Sequence, residues 1–332
     1  MKKRKVSIKD IAKICDVSTA TVSRVINNNG RFSEETRKKV LDAIKETGYQ
    51  MNYSAKSLRM NKSNSIGILV PDISNYFFSQ IVMDIESKLF DYGYSTIIAN
   101  TSRNLEKEDA YLKMLSSKLV DGLIVISGTE TFEFPSIMEK IPYICIDREP
   151  ANKETAIFIA SDHYNGGFIA TEQLVYSGAK RPCIITHSRK SSSTLKRIQA
   201  FKDALKKHKF DFIDQRVFTI SPDRDFDQQM SEFINIYHPD AIFAVNDTLA
   251  ASILNSIHKL NITIPDEIQL IGYDNSPIGL YTTPSLTSIN QNIPEIANTA
   301  VSRLLQMIDN NEVSGNEDII LPVELVKRNS TI

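Results

Sequence analysis

From Ser65 onward short apolar runs alternate with amphipathic stretches, and this alternation constrains the fold more than any other feature of the chain. Ile66-Gly-Ile-Leu-Val70, Ser95-Thr-Ile-Ile-Ala99, Gly122-Leu-Ile-Val-Ile126 and Tyr143-Ile-Cys-Ile146 read as strands buried on both faces. Helical patterns such as 78–92 and 107–118 lie between them. A second set follows in Pro182-Cys-Ile-Ile185, Ala241-Ile-Phe-Ala-Val245 and Ile268-Gln-Leu-Ile-Gly272. Strands alternating with helices predict an α/β body of parallel sheets covered on both faces. The length of this region is generous for one such sheet and natural for two. Open α/β sheets bind ligands beyond the carboxyl ends of their strands, so two facing sheets make a cleft with a hinge between them.

The chain ahead of that body has a different charge. Residues 1–62 carry 15 Lys and Arg against 6 Asp and Glu, which leaves 24 basic and 34 acidic residues in the remainder. A small basic head on an acidic body is the distribution expected when one end meets a polyanion. Ser7 followed by Asp10 is a capping-box pattern, and Ile8, Ile11, Ala12 and Cys15 then fall on one helical face. This short helix stops near Asp16, a residue type that tolerates the left-handed backbone of a tight turn. Ser18 offers a second N-cap, and Val22, Val25 and Ile26 form the inner stripe of a second helix. Two short helices around such a turn predict a helix-turn-helix. The outer face of the second helix presents Thr19, Ala20, Ser23, Arg24 and Asn27, small or hydrogen-bonding residues suited to base edges. A third helix is expected from Ser33 to Gly48, with Val40, Leu41 and Ile44 facing inward.

These segments, Val6-Ser-Ile-Lys-Asp-Ile-Ala-Lys13, Val17-Ser-Thr-Ala-Thr-Val-Ser-Arg-Val-Ile-Asn27 and Ser33-Glu-Glu-Thr-Arg37, closely resemble the DNA-binding head of the lactose/galactose repressor (LacI/GalR) family. The resemblance continues through Pro71-Asp72, Gly272-Tyr-Asp274 and Arg328-Asn-Ser-Thr331, nearly the whole chain. It implies a three-helix head over residues 1–50, a hinge helix and linker over 51–64, and a two-lobed, periplasmic-binding-protein-like body over 65–332. The N-subdomain would comprise about 65–162 plus 291–323, and the C-subdomain about 163–290 plus 324–332. By the same resemblance Thr19, Ala20 and Arg24 occupy base-reading positions, and Arg24 suits a bidentate contact to guanine. Ser7, Ser18, Thr21, Asn27 and Arg31 are candidates for positioning on phosphates. Asp16 departs from the glycine frequent at the family's turn.

Tyr53-Ser-Ala-Lys-Ser-Leu-Arg-Met60 is compatible with a helix but too short to be stable alone. The family pairs this segment with its twin in a dimer and inserts it into the minor groove. Leu58 then matches the wedging leucine, with Ala55 beside it. Met51 departs from a frequent proline before this segment.

In the body, polar and aromatic residues gather just after the strand ends. They are Asp72, Asn75, Tyr76 and Phe77 after the first strand, Asp147 and Arg148 after the fourth, and Asp162 and Asn165 before Gly166-Gly167. Arg197, Asn246 and Asp274 follow later in the chain, and the resemblance carries these three onto effector-contact positions. Ala200 stands where the family often has glycine. Carboxylates, amides and an arginine supply directed bonds to hydroxyls, and aromatics supply a face for C–H surface, which is what a polyol needs. The Tyr76–Phe77 pair also admits a planar purine.

Other chemistries lack their signatures. There is no GxGxxG, no GxxxxGK[ST], no nucleophile elbow and no metal spacing among His163, His187, His208, His238 and His258. The expectation is therefore a regulator and not an enzyme, with no cofactor or metal. Cys15, Cys145 and Cys183 lie far apart, as in a reducing compartment, and no apolar run approaches the roughly 18 residues of a membrane span. The basic start is not followed by a signal-peptide core, so a cytoplasmic location is expected. The combined reading is a repressor that binds palindromic operator DNA as a homodimer under control of a small sugar. The competing readings are a purine or phosphocarrier-protein effector on the same architecture, and a transporter's sugar-binding protein. Absence of leucine heptads near Ile332 favours a dimer over a tetramer.

Overall fold

A computed structural model describes residues 6–26, 28–49, 62–126, 132, 141–152, 156–188, 191–211, 213–312 and 316–332. Asn27, Met51, Ala55 and Leu58 lie outside the described residues. The chain divides into two units, Met1–Ser63 and Asn64–Ile332.

The first unit contains three helices, α1 (Ile8–Cys15), α2 (Thr19–Ile26) and α3 (Glu34–Thr47). The Ser7 hydroxyl accepts the Asp10 backbone N–H while the Asp10 carboxylate accepts that of Ser7, closing a capping box. Asp16 takes φ 52° and ψ 48°, the left-handed geometry that glycine would adopt freely. Ile11, Ala12, Cys15, Val22, Val25, Val40 and Ala43 make a small core. Leu41, expected inside, is exposed, and Ala43 packs instead. The shift arises because α3 meets α1 and α2 along a narrow stripe, which a bulky leucine one position round the helix cannot share.

The second unit holds two six-stranded sheets. The first runs β11-β5-β4-β3-β1-β2 and is parallel throughout, built from β1 (Ser65–Val70), β2 (Ser95–Asn100), β3 (Gly122–Ile126), β4 (Tyr143–Ile146), β5 (Ile157–Ser161) and β11 (Glu317–Leu321). The second runs β12-β10-β9-β8-β6-β7, from β6 (Pro182–His187), β7 (Val217–Ile220), β8 (Ala241–Ala244), β9 (Gln269–Tyr273), β10 (Thr287–Asn290) and β12 (Glu324–Val326), with β12 antiparallel at its edge. The helices that position the site are α4 (Tyr76–Asp91) and α5 (Leu105–Ser117) of the first lobe, then α6 (His163–Tyr176) and α7 (Ser192–Lys207) of the second.

The chain passes between the lobes three times, after β5 at Asp162, after β10 at Gln291 and Asn292, and after β11 at Pro322 and Val323. All three passages leave from strands near one side of the sheets, and β2 and β7 form the opposite edges. The apolar run of β2 predicts a buried strand, but β2 is an edge strand with Ile98 exposed, because no further strand among the described residues pairs with its outer side. β5, β7, β10, β11 and β12 are additional to the seven strands read from the sequence.

Candidate functional site

In the head, α2 turns Val22 and Val25 inward and leaves Thr19, Ala20 and Arg24 exposed. The Ser18 hydroxyl accepts the Thr21 N–H at 3.1 Å and lies 3.0 Å from the Thr21 hydroxyl, so both side chains cap the helix at its exposed start. Ser7 does the same for α1, and Arg31 is exposed. Gly30 has φ +93°, and a Cβ there would lie 3.3 Å from Cδ of Arg24. The bare backbone at Gly30 thus flanks the Arg24 side chain.

In the body, a cavity of about 610 Å³ opens between the carboxyl ends of the two sheets. Seven of the eleven expected residues line it: Asp72, Asn75, Phe77, Asp147, Arg197, Asn246 and Asp274. Four lie outside its lining. Tyr76 is exposed and donates from its hydroxyl to Gln80 Oε1 at 3.1 Å, one turn along its own helix, which holds it outside the cavity lining. Arg148 is drawn away by an ion pair with Glu108 at 2.8 Å and lies over the Phe132 ring. Asp162 is the N-cap of α6 and accepts the backbone N–H of exposed Asn165 at 2.9 Å.

Arg197 organises the wall. Its Nη1 donates to the Val245 carbonyl at 2.6 Å, its Nη2 donates to His163 Nδ1 at 3.2 Å, and its guanidinium lies 3.5 Å from the Tyr273 ring centroid. His163 Nε2 is 2.9 Å from Asp147 Oδ1. A guanidinium only donates, so Nδ1 must accept, and His163 is neutral with its proton on Nε2 directed at Asp147. The electrostatics agree. Burial lowers the His163 pKa, and Arg197 and Lys196 lower it further against the opposing pull of Asp147. Asp147 is raised by burial, yet His163 and Arg197 hold it below the usual carboxylate range. Asp147 ends a strand of the first lobe while His163 and Arg197 belong to the second, so this buried chain of bonds ties the lobes together. Lys196 and Glu149, 3.1 Å apart, tie them again at the surface.

Asp274 sits 4.0 Å from Arg197 and accepts from Gln291 Nε2 at 2.6 Å. Burial pushes its carboxyl up to about 8, against the lowering effect of Arg197 and with the neighbouring Asp247 adding to the rise. Beneath it, Asp247 accepts the Ser276 N–H and the Ser288 hydroxyl, both at 2.6 Å, and burial raises it to about 6. A side chain at Gly272 would collide with the Asp247 carboxylate. Asp147 and Asp274 have φ of 55° and 108°, a region uncommon for residues other than glycine and frequent where geometry serves a site.

Phe78, Arg103, His187, Ser188, Ser191, Ser193 and Thr194 also line the wall, along with Ile220, Pro222 and Thr248, none of them among the residues expected from the sequence. The run Ser191-Ser-Ser-Thr194 carried a signal. It is a strong N-cap sequence after a predicted strand, and Ser191 indeed accepts the Thr194 N–H at 3.2 Å. His163 lies behind the wall and had no sequence signature. Gly167 lets α6 approach α7, since a Cβ there would lie 2.8 Å from the Arg197 carbonyl and 3.0 Å from Cβ of Ala200. The space for close packing comes from Gly167, so the methyl of Ala200 is accommodated. Among the described residues no cluster of His, Cys, Asp and Glu could hold a metal, and no helix is long and apolar enough to cross a membrane.

A helix-turn-helix unit with an exposed second helix, followed by a two-lobed unit with a polar cleft, defines a ligand-responsive DNA-binding regulator. Residues 7–52 match the model of bacterial regulatory proteins of the lacI family, and residues 171–331 match a periplasmic binding protein-like domain. The HTH-type transcriptional repressor PurR of Vibrio vulnificus is 33% identical over 92% of this chain and 93% of its own length. The sucrose operon repressor of Streptococcus mutans is 35% identical over 97% of this chain and 98% of its own. A crystal structure of the lac repressor dimer bound to operator and an anti-inducer superposes with a TM-score of 0.85 at 26% identity, covering 99% of this chain and 100% of that one. The chain belongs to the LacI family, whose members regulate transcription and are not enzymes.

Proposed function

We propose that this protein is a cytoplasmic repressor that holds a palindromic operator as a homodimer and changes its grip when a small sugar occupies the cleft. The observation that carries the effector class is the buried Asp147–His163–Arg197 chain, which joins the two lobes at a cavity lined by carboxylates, two amides and hydroxyls. A sugar bonded to Asp147 on one lobe and to Arg197, Asn246 and Asp274 on the other changes the balance between open and closed forms by its differential affinity for them. A sugar is favoured over a purine because Tyr76 does not line the cavity and the Phe77 and Phe78 rings meet edge-on at 66°, leaving no parallel slot for a flat base. The named relatives include both a PurR and a sucrose operon repressor, and the ring geometry supports the sugar. The three cysteines are buried and free, which suits a reducing compartment.

Within this reading the domains are 1–50, 51–64 and 65–332, with the body divided at the three lobe crossings. Thr19, Ala20 and Arg24 read bases. Ser7, Ser18, Thr21, Asn27 and Arg31 position the head on phosphates, and Ala55 and Leu58 enter the minor groove. Selection of the operator from random DNA, followed by mobility-shift titration with a sugar and purine panel, tests the proposal. Operator release or tightening by a sugar supports it, and a response to purines alone overturns the effector class.

A further inference from the structure

The cleft has two chemically distinct ends. Asp147 and Asp274 follow β4 and β9, on the side where the chain passes between the lobes. At the opposite side, Arg103 follows edge strand β2 of the first lobe, and His187 ends β6, next to edge strand β7 of the second. Both line the same cavity. Burial and then the charge of Arg103 hold the His187 pKa below its ordinary value, so the two basic groups already feel each other across the cleft. The nearest strand-end carboxylate in the sheet order is Asp72, and its Oδ1 is turned onto the Ser74 N–H at 3.0 Å and hydroxyl at 2.6 Å.

We propose that the effector carries a phosphate group, seated between Arg103 of the first lobe and His187 with the N-terminus of α7 in the second. The inference rests on the cleft being the effector site. The helix α7 is 16 residues long, and its N-cap Ser191 and first-turn Ser193 and Thr194 line the cavity. Unpaired backbone N–H groups and the positive end of the helix dipole attract a tetrahedral anion, and hydroxyls beside them add donors. One turn further along, Arg197 is 94% buried and lines the cavity, yet its Nε finds no acceptor among the described residues. Its guanidinium, 4.0 Å from Asp274, belongs to the carboxylate end and adds positive charge to the same wall, so the anion seat proper is Arg103, His187 and the first turn of α7. The ligand is then bipolar. Its hydroxyls face the carboxylates beside the hinge, and its phosphate bridges the lobes at the open edge, where closure moves them furthest.

The test compares the full chain with Arg103→Gln and His187→Asn, each first shown to bind operator like the parent. Inorganic phosphate at millimolar concentration should raise the melting temperature of the parent relative to sodium chloride at matched ionic strength, and should lose that effect in both variants. In titration calorimetry, ribose 5-phosphate, glucose 6-phosphate and fructose 6-phosphate are compared with ribose, glucose and fructose. The best sugar phosphate should bind on the order of tenfold tighter than its parent sugar, and each variant should remove that advantage while leaving the parent sugar unchanged. No phosphate effect on melting, or a neutral sugar bound as tightly as its phosphate, overturns the inference while the sugar-effector reading stands. Binding of adenine or guanine with no sugar or sugar phosphate bound overturns both.

Discussion

Nδ1 of His163 lies 3.2 Å from Nη2 of Arg197, and that single distance fixes the protonation state of a histidine buried between the lobes. A proton on Nδ1 would set one donor against another. Stability must therefore fall as His163 is forced to protonate. Its pKa is lower folded than unfolded, so its contribution is complete above about 6.5 and is lost as pH falls through the folded value. Melting curves across pH should show His163→Gln with a flatter acid limb than the parent. Parallel acid limbs would mean that His163 does not govern this transition.

Asp274 acts in the opposite direction. Its pKa rises from 3.8 to about 8 on folding, so its contribution to stability is complete below about 4 and disappears as pH climbs to about 8. Asp274→Asn should flatten the loss between these values. The same shift predicts proton release when a ligand hydroxyl donates to the ionised carboxylate. Binding enthalpies at pH 7 should therefore vary with the ionisation enthalpy of the buffer in the parent and lose that variation in Asp274→Asn. Asp274→Ala should weaken effector binding by about 1.5–3 kcal/mol, roughly tenfold to a hundredfold, and leave operator affinity without effector unchanged.

Arg24→Ala should weaken the preferred operator by about 1–3 kcal/mol and relax preference at one base pair of each half-site. Equal weakening on all sequences would assign Arg24 to phosphate. Gly30→Ala should lower operator affinity as well, because the new methyl would press on the Arg24 stem at 3.3 Å and the backbone there has φ +93°.

Gly167→Ala should destabilise the body by about 1–3 kcal/mol, since the added methyl has only 2.8 Å to the Arg197 carbonyl. It should also weaken effector binding, because separating α6 from α7 moves Arg197 away from His163. Unchanged melting and unchanged affinity together would mean that the two helices accommodate the methyl without displacing Arg197.

The sequence was most legible where one residue type answers one local demand. Ser7 with Asp10, Asp16 at the turn and Gly48 after α3 each meet a backbone requirement set within four residues, and each is found in that role. Central strands such as β3 were legible because burial on both faces removes every polar position. β12 was not, since this short edge strand opens on Glu324, leaves it exposed and looks like loop. At the cleft, residues on strand ends were found by counting from the strand, which brought Asp147 and Asp274 together. Arg148 was counted the same way, yet Glu108 from another element draws it aside. His163 was invisible for the same reason: its partners lie 16 and 34 residues away, and no local pattern encodes that meeting.

The threefold passage of the chain between the lobes also sets an order on synthesis. The first lobe needs β11, residues 317–321, to complete its sheet, and the second needs β12, residues 324–326. Neither can close until almost the whole polypeptide has left the ribosome, whereas the head, whose core is complete by Ala43, is free to fold hundreds of residues earlier. A nascent chain would thus display a finished reading helix well before it owns a finished sensor, and a ribosome stalled within β10 would carry the one without the other.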